Sequence, residues 1–350
     1  MKKIIILILL LFLSGCNYME LNDMRIVTLM AIKYINNNYE ITIEIKENIN
    51  SEEATSTIHK AKNTSIEKAL QDLNLIADKK LYFIDLNILL IDKNAANMKL
   101  TSIIDYLTRN VNFGTNFNII IDENIDNTID TIKDKNKIVG DYLKNIIDHK
   151  SNTIATLKYD DFLKIYLNEY RDIIIPKGEI KNDEYLIKKA YLFNDKSIAK
   201  EIDFEDIQIY NLLSNIKSSY YFKINYNDKA LVYKVKSHDV KLCYDDKLKI
   251  KIKLNGSFTE VEDLDLLEDD ELKKILNTLE DSIISEISDF IKLLLSLDSD
   301  ILGFKKVYLN NKRTTIKSIK DLEYLINLDL KLDREGLIFE AIGDVYEKDK

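Results

Sequence analysis

The chain has 350 residues, of which 46% are hydrophobic and 31% charged, and its formal net charge at pH 7 is −9. This composition provides enough apolar material for a substantial core and enough length for two or three domains. It argues against nucleic acid and anionic lipid head groups as partners, because an acidic surface repels both.

The N-terminus has the pattern of a bacterial lipoprotein signal. A basic start precedes an uninterrupted apolar run at residues 4–13. At roughly 1.5 Å per residue, this run reaches only about half of a hydrocarbon core roughly 30 Å thick. That length is typical of a signal peptide and too short for a spanning helix. At its end, Leu13-Ser14-Gly15-Cys16 resembles the bacterial lipobox, in which small residues give a peptidase access to the bond before the cysteine and the thiol accepts a diacylglyceryl group.

We therefore predict cleavage between Gly15 and Cys16, lipidation of Cys16, and attachment to the outer face of a bacterial membrane. Two acyl chains are enough for stable anchoring. Removal of Lys2 and Lys3 with the signal lowers the formal net charge from −9 to −11, so attachment must come from the lipid. The alternative is an ordinary signal peptide or anchor that happens to carry a cysteine.

The first half of the mature chain predicts mixed strands and helices. Residues 24–33 and the alternating residues 39–46 flank three asparagines and predict a hairpin. Residues 47–62 predict a loop. Thr64-Ser65-Ile66-Glu67 has capping-box spacing and begins an amphipathic helix at 66–77. The further predictions are strands at 81–91 and 118–122 and helices at 95–108, 136–148 and 156–168.

The polar stretch near residues 180–184 predicts the main domain boundary. We expect a signal peptide at 1–15, an N-terminal domain at 16–183 and a C-terminal domain at 184–350. In the C-terminal domain we predict strands at 185–193, 220–224, 230–237, 248–256, 324–332 and 337–342, and helices at 203–216 and 270–297. Asp203 is the predicted N-cap of the first of these helices.

These elements predict an α+β or mixed α/β protein of several domains, with mixed sheets and packed helices. The long helix at 270–297 keeps one apolar stripe, formed by Leu272, Ile275, Leu276, Leu279, Ile283, Ile287, Phe290, Ile291 and Leu294. This stripe must lie against a C-terminal sheet, which we expect to be built from the strands between 185 and 256 and the closing hairpin.

The sequence contains no pattern that indicates catalysis or metal binding. It has no nucleophile elbow, P-loop or dinucleotide fingerprint, and 8 glycines provide little material for a phosphate loop. His59, His149 and His238 are far apart in polar contexts, which favours surface positions over metal ligation. We therefore predict no catalytic residues, no metal and no cofactor.

Two further features have ordinary structural interpretations. The acidic run at 260–271 lacks the central glycine of a calcium loop and is better explained as a solvated loop that leads into a helix N-terminus. Once Cys16 carries lipid, Cys243 has no partner for an intramolecular disulfide. Its apolar-alternating context predicts a small buried hydrophobe.

Short landmarks occur in a fixed order along nearly the whole chain. They are Cys16-Asn17-Tyr18-Met19-Glu20-Leu21-Asn22-Asp23-Met24-Arg25-Ile26-Val27, Glu67-Lys68-Ala69-Leu70, Lys80-Leu81-Tyr82-Phe83-Ile84-Asp85-Leu86, Leu107-Thr108-Arg109, Pro176, Ala190-Tyr191-Leu192-Phe193-Asn194-Asp195-Lys196, Gly256-Ser257-Phe258-Thr259-Glu260, Asp300-Ile301-Leu302-Gly303-Phe304 and Asp333-Arg334-Glu335-Gly336-Leu337. Together they resemble the Ger(x)C spore germination lipoproteins, the C subunits of nutrient germinant receptors. The chain departs from the family pattern in having no tryptophan, and in carrying Asn110 and Asn112 where acidic residues are usual. These departures leave the receptor pairing open.

The resemblance implies a multi-domain α/β fold, a non-enzymatic role and a position on the extracytoplasmic face of the spore inner membrane. It also implies assembly with integral membrane A-type and B-type receptor subunits. Whether a small-molecule germinant contacts this chain directly or only through those subunits is left open. The alternative is a solute-binding lipoprotein that delivers a ligand to a transporter, which would require two similar lobes around a cleft. A lipid-tethered enzyme is a third reading.

Overall fold

A computed structural model describes residues 24–47, 55–110, 112–168, 170–227, 229–261 and 269–333. Within them the chain forms a nine-stranded sheet followed by a four-stranded sheet, each packed with helices. The predicted α+β fold class of several domains with mixed sheets is confirmed.

The first sheet has the strand order β3-β2-β1-β5-β6-β7-β8-β9, with the short β4 paired beside β1. Adjacent strands β1, β5, β6 and β7 run parallel, and the outer strands are antiparallel. The strands are β1 Met24–Ile35, β2 Asn38–Glu47, β3 Thr55–Asn63, β4 Lys80–Tyr82, β5 Ile88–Ile91, β6 Asn118–Asp122, β7 Ile174–Lys181, β8 Glu184–Asn194 and β9 Ser197–Ile202.

Helices cover both faces of this sheet. They are α1 Ile66–Ile76, α2 Lys93–Arg109, α3 Ile125–Asp134, α4 Val139–Lys150 and α5 Tyr159–Tyr166. The first, second and fifth of them pack on one face, and α3 and α4 pack on the other. Because the central parallel strands are buried on both sides, β5 is apolar throughout and every residue of β6 is buried.

The second sheet has the order β10-β11-β12-β13, with β13 parallel to β12. Its strands are β10 Tyr220–Tyr226, β11 Lys229–Tyr244, β12 Leu248–Val261 and β13 Tyr324–Leu332. The associated helices are α6 Phe204–Leu213, α7 Asp269–Leu297 and α8 Phe304–Lys312. The predicted packing of the long helix on this sheet is confirmed, since its stripe shares one core with β10, β11 and β12.

Several local predictions agree with the structure. The β1–β2 hairpin turns through Asn36 and Asn37, which have φ values of 52° and 61°. Asparagine tolerates this left-handed conformation better than most residues. Strand β6 has the predicted bounds, and α7 differs from its prediction by one residue at its start.

Other local predictions are wrong for identifiable reasons. Residues 55–62 of the predicted loop belong to β3, a polar edge strand that the apolar pattern could not reveal. The predicted strand at 81–91 is two strands joined by a turn. Ser65, and not Thr64, caps α1, because its side chain accepts the hydrogen bond from the Lys68 amide.

The predicted boundary between residues 183 and 184 coincides with a tight turn of the first sheet. Asn182 and Asp183 have positive φ, and Lys181 pairs with Glu184 across the β7–β8 hairpin. The expectation that the strand at 185–193 belongs to the C-terminal sheet is therefore wrong. The domain ranges themselves remain a prediction, as does the closing strand at 337–342, which lies outside the described residues.

Candidate functional site

The predicted lipidation site, Gly15 and Cys16, lies outside the described residues. The first described residue, Met24, begins β1, and seven residues separate it from Cys16. Lipidation therefore stays a prediction. No helix in the described part of the chain is both long and apolar enough to span a membrane.

The three histidines lie on separate elements. The Nε2 atom of His59 on β3 is 3.2 Å from the hydroxyl of Thr57, and His149 ends α4. His238 is half-buried, and its ring stands edge-on to Tyr220 at 5.1 Å between centroids. Burial lowers its pKa. Among the residues that the structure describes, no three potential metal ligands cluster.

A charged cluster crosses β7, β8 and β9 beside the carboxyl end of β6. In an open α/β sheet this edge is where ligands usually bind. Here Lys177, only 7% exposed, lies 2.9 Å from a carboxylate oxygen of Glu201 and 3.3 Å from one of Glu123. Glu123 also accepts a hydrogen bond from the hydroxyl of Tyr191.

The charges in this cluster are compensated from within the fold. Burial opposes ionisation of Glu201, yet hydrogen bonds from Lys177 and Lys189 outweigh it and lower its pKa to about 2. The hydrogen bond from Tyr191 is the largest influence on Glu123 and lowers the pKa of that carboxyl group. These groups hold neighbouring strands together. Because they bond to one another, few of their hydrogen-bonding atoms are free to bind a ligand.

Glu44 is a buried carboxylate that caps a helix from another part of the chain. Its two oxygens accept hydrogen bonds from the amides of Val139 and Gly140, at 2.7 and 2.8 Å. They also accept from the hydroxyls of Thr28 and Ser56, at 2.8 and 2.7 Å. These amides begin α4, whose own N-cap residue provides no side-chain hydrogen bond. Carboxylates are favoured at helix N-termini.

The two sheets meet at a junction formed by the α5–β7 connection, the end of β8 and the α7–α8 loop. Asp172 and Asp300 are joined by two hydrogen bonds. The backbone amide of Asp172 donates to the carbonyl of Asp300 at 3.0 Å, and the backbone amide of Asp300 donates to the carboxylate of Asp172 at 2.7 Å. Ser299 donates its hydroxyl to the Phe193 carbonyl. Asn194 donates its side-chain amide to the Leu297 carbonyl.

Asp300 is the centre of this junction. Its carboxylate accepts hydrogen bonds from the amides of Phe304 and Lys305, at 2.6 and 2.8 Å, and so caps α8. Burial nevertheless dominates and raises its pKa to about 6. Burial also raises the pKa of Asp172.

A cleft of about 310 Å³ opens beside the junction, between α5 and α8. Three cationic side chains, Lys164, Arg171 and Lys306, contribute to its lining. Arg171 donates to the carbonyl of Ile301 and to the hydroxyl of Tyr210, and Lys164 pairs with carboxylates of its own helix. The cleft contacts both parts of the protein, and its cations are largely engaged by the fold.

Sequence reasoning did not find Glu44, Lys177 or Asp300. The sequence carried no signal even for Glu44, which occupies an ordinary polar position in the alternating sequence of β2. The partners of all three come from distant positions in the chain, and no local pattern specifies them.

The fold and site define a multi-domain α+β protein whose buried charges serve to join its elements. Residues 17–180 match the family model described as the spore germination protein N-terminal domain, and residues 188–336 match the spore germination B3/GerAC-like C-terminal domain. The chain belongs to the GerAC-type spore germination proteins.

A solved structure has the same overall fold. The crystal structure of the GerBC protein aligns with a TM-score of 0.56 at 10% sequence identity, covering 87% of this chain and 96% of the GerBC chain. No curated protein sequence matches the chain.

Proposed function

We propose that the chain is the lipid-anchored subunit of a spore nutrient germinant receptor. It is held by lipid on Cys16 at the extracytoplasmic face of the spore inner membrane and docks on integral membrane A-type and B-type subunits. Its role is to help couple nutrient sensing to the release of ions and dipicolinate, without catalysis of its own.

One observation carries this proposal. The family match begins at residue 17 and continues through the second domain to residue 336. Its start is therefore the first residue after the predicted lipid cysteine. This is the arrangement expected when the whole mature chain is the functional unit and the preceding residues serve only to export and anchor it.

The paired charges have structural roles within the fold. The described clusters around Lys177, Glu44 and Asp300 bond within the fold, whereas a catalytic group must present a free atom to its substrate. The alternative solute-binding function is weakened, because a nine-stranded and a four-stranded sheet do not make two similar lobes.

The test uses spores in which this receptor is the only one present. We expect deletion of the chain to abolish germination with nutrients, while external dipicolinate still triggers germination because it bypasses the receptor. A pull-down from spore membranes should recover A-type and B-type subunits with the chain. Normal nutrient germination after deletion would refute the receptor role.

A second arm tests the anchor. Cys16→Ser removes the sulfur that lipidation requires, so we expect an uncleaved or soluble species and loss of nutrient germination. Mass spectrometry and membrane fractionation measure both outcomes. A variant with wild-type mature mass and normal membrane association would contradict the lipid anchor but not the family membership.

A further inference from the structure

The end of α1 and the start of β1 lie at the same end of the first sheet. Met24 pairs with Lys80 in the parallel β1–β4 ladder. The guanidinium of Arg25 donates two hydrogen bonds to the carboxylate of Asp78, at 2.7 and 2.5 Å. Since Asp78 follows α1 by two residues, the last turn of this helix is adjacent to the first residues of β1.

This last turn exposes two adjacent aliphatic side chains. Leu75 is 84% exposed and Ile76 59% exposed, although the rest of the apolar face of α1 is buried. Lys79 and Lys80, which follow after Ala77 and the Arg25-paired Asp78, are also exposed. Single exposed hydrophobic residues are ordinary on a protein surface. An adjacent pair beside two lysines has the composition of a membrane-interface contact.

The predicted lipid site keeps this end of the protein close to the bilayer. The seven residues between Cys16 and Met24, even fully extended, span no more than about 28 Å. Strand β1, with 12 residues, places its other end about 36 Å beyond Met24. The amino end of the sheet is therefore the end that the tether holds nearest to the lipid surface.

We propose that Leu75, Ile76, Lys79 and Lys80 form an anchor-end surface that lies on the lipid bilayer and orients the protein. This inference rests on the proposed lipid anchor at Cys16. The acyl chains supply the attachment, and the anchor-end surface selects one orientation among those that the tether allows.

Apolar burial, more than charge, carries this contact. Lysines are attracted to anionic lipid. The segment between Cys16 and Met24 contains Glu20 and Asp23, however, and their carboxylates offset that attraction. The contact of Leu75 and Ile76 with the interfacial region does not depend on lipid charge. It should therefore form on neutral as well as anionic vesicles.

The test uses the full lipidated chain in vesicles, with Cys243→Ala to remove the second thiol. A spin label is attached at Leu75→Cys or, as the matched control, at Met98→Cys. Met98 is an exposed apolar residue, 65% accessible, near the start of α2, whose N-cap Asp92 bonds to Tyr34 at the far end of β1. Collisions with lipid-soluble oxygen and with a water-soluble nickel complex report the depth of each label.

We expect the label at residue 75 to collide severalfold more often with oxygen than with nickel, relative to the label at residue 98. Adding Ile76→Asp should reverse this difference by lifting the turn from the interface. Equal access of nickel to both labels, in a chain that floats with the vesicles, would overturn the anchor-end surface and leave the lipid anchor intact. A chain that does not float would overturn both.

The remaining outcome concerns a protein partner. If the label at residue 75 becomes shielded only after integral spore membrane proteins are added to the vesicles, the surface contacts a subunit and not lipid. That result would refute the lipid contact while leaving the receptor assembly in place.

Discussion

Glu44 illustrates what a single side chain does in this fold. Its neighbours Ile43 and Ile45 face one core, while Glu44 projects from the opposite face of β2 toward α4. Both faces of the strand are covered, so the carboxylate is buried with four hydrogen-bond donors around it. A β-carbon on Gly140 would stand 2.5 Å from the Thr28 carbonyl oxygen, so only glycine permits this approach.

Glu44→Gln should destabilise the protein by about 2–4 kcal/mol, because one acceptor oxygen becomes a donor that faces backbone amides. Urea unfolding measures this loss. Glu47→Gln, near the end of the same strand, is the control and should change stability by less than about 0.5 kcal/mol. Equal effects of the two substitutions would contradict the capping role of Glu44.

At the scale of elements, α7 organises the second core. The stripe predicted from the sequence is buried, except for Leu276, which is partly buried. Leu279, Ile283 and Ile287 are fully shielded from solvent and pack above the second sheet. A helix of 29 residues keeps one face toward the sheet over its whole length, so each buried position contributes to the same core.

Leu279→Asp should cost several kcal/mol, since it buries a charge that has no partner, and should unfold the second part of the protein. The matched control is Asn277→Asp, which adds the same carboxylate on the exposed face of α7. Circular dichroism and urea titration compare the two variants. Wild-type stability of Leu279→Asp would show that the core assignment is wrong.

At the scale of the whole molecule, the two parts are joined by more than a linker. Strand β8 belongs to the first sheet, yet Ala190 and Leu192 face the second core while Tyr191 and Phe193 face the first. The junction around Asp172 and Asp300 adds hydrogen bonds at one end of this shared strand. The arrangement predicts that the parts move together.

The ionisation of Asp300 should make this junction pH-dependent. Because its pKa is raised to about 6 in the folded protein, the folded state holds the proton more tightly than the unfolded state. The stabilising contribution of Asp300 is therefore fully present below about pH 4 and is lost as the pH rises through 6, by up to about 3 kcal/mol.

The measurement is the unfolding free energy of the wild type minus that of Asp300→Asn, as a function of pH. This difference should decrease between about pH 4 and 7. A difference that does not change with pH would exclude a role for the charge of Asp300 in the junction.

The sequence by itself determined the elements whose signals are local. The alternation of residues 39–46 and the asparagine turn specified the first hairpin, and the 3.6-residue periodicity specified α7, because each pattern reflects the geometry of one element. The ordered landmarks were sufficient to identify the family, since they extend over nearly the whole chain.

Only the tertiary structure decided which elements meet. The sequence of β8 contains no information about which sheet it joins, because both of its faces are apolar and strand pairing depends on distant residues. For the same reason, the sequence did not predict β3, a polar strand at the edge of the first sheet. It also did not predict that Glu44 caps α4, because the two lie far apart in the chain. The position of Leu75 beside the start of β1 likewise follows from parallel pairing between segments more than 50 residues apart, a relation that no local pattern encodes.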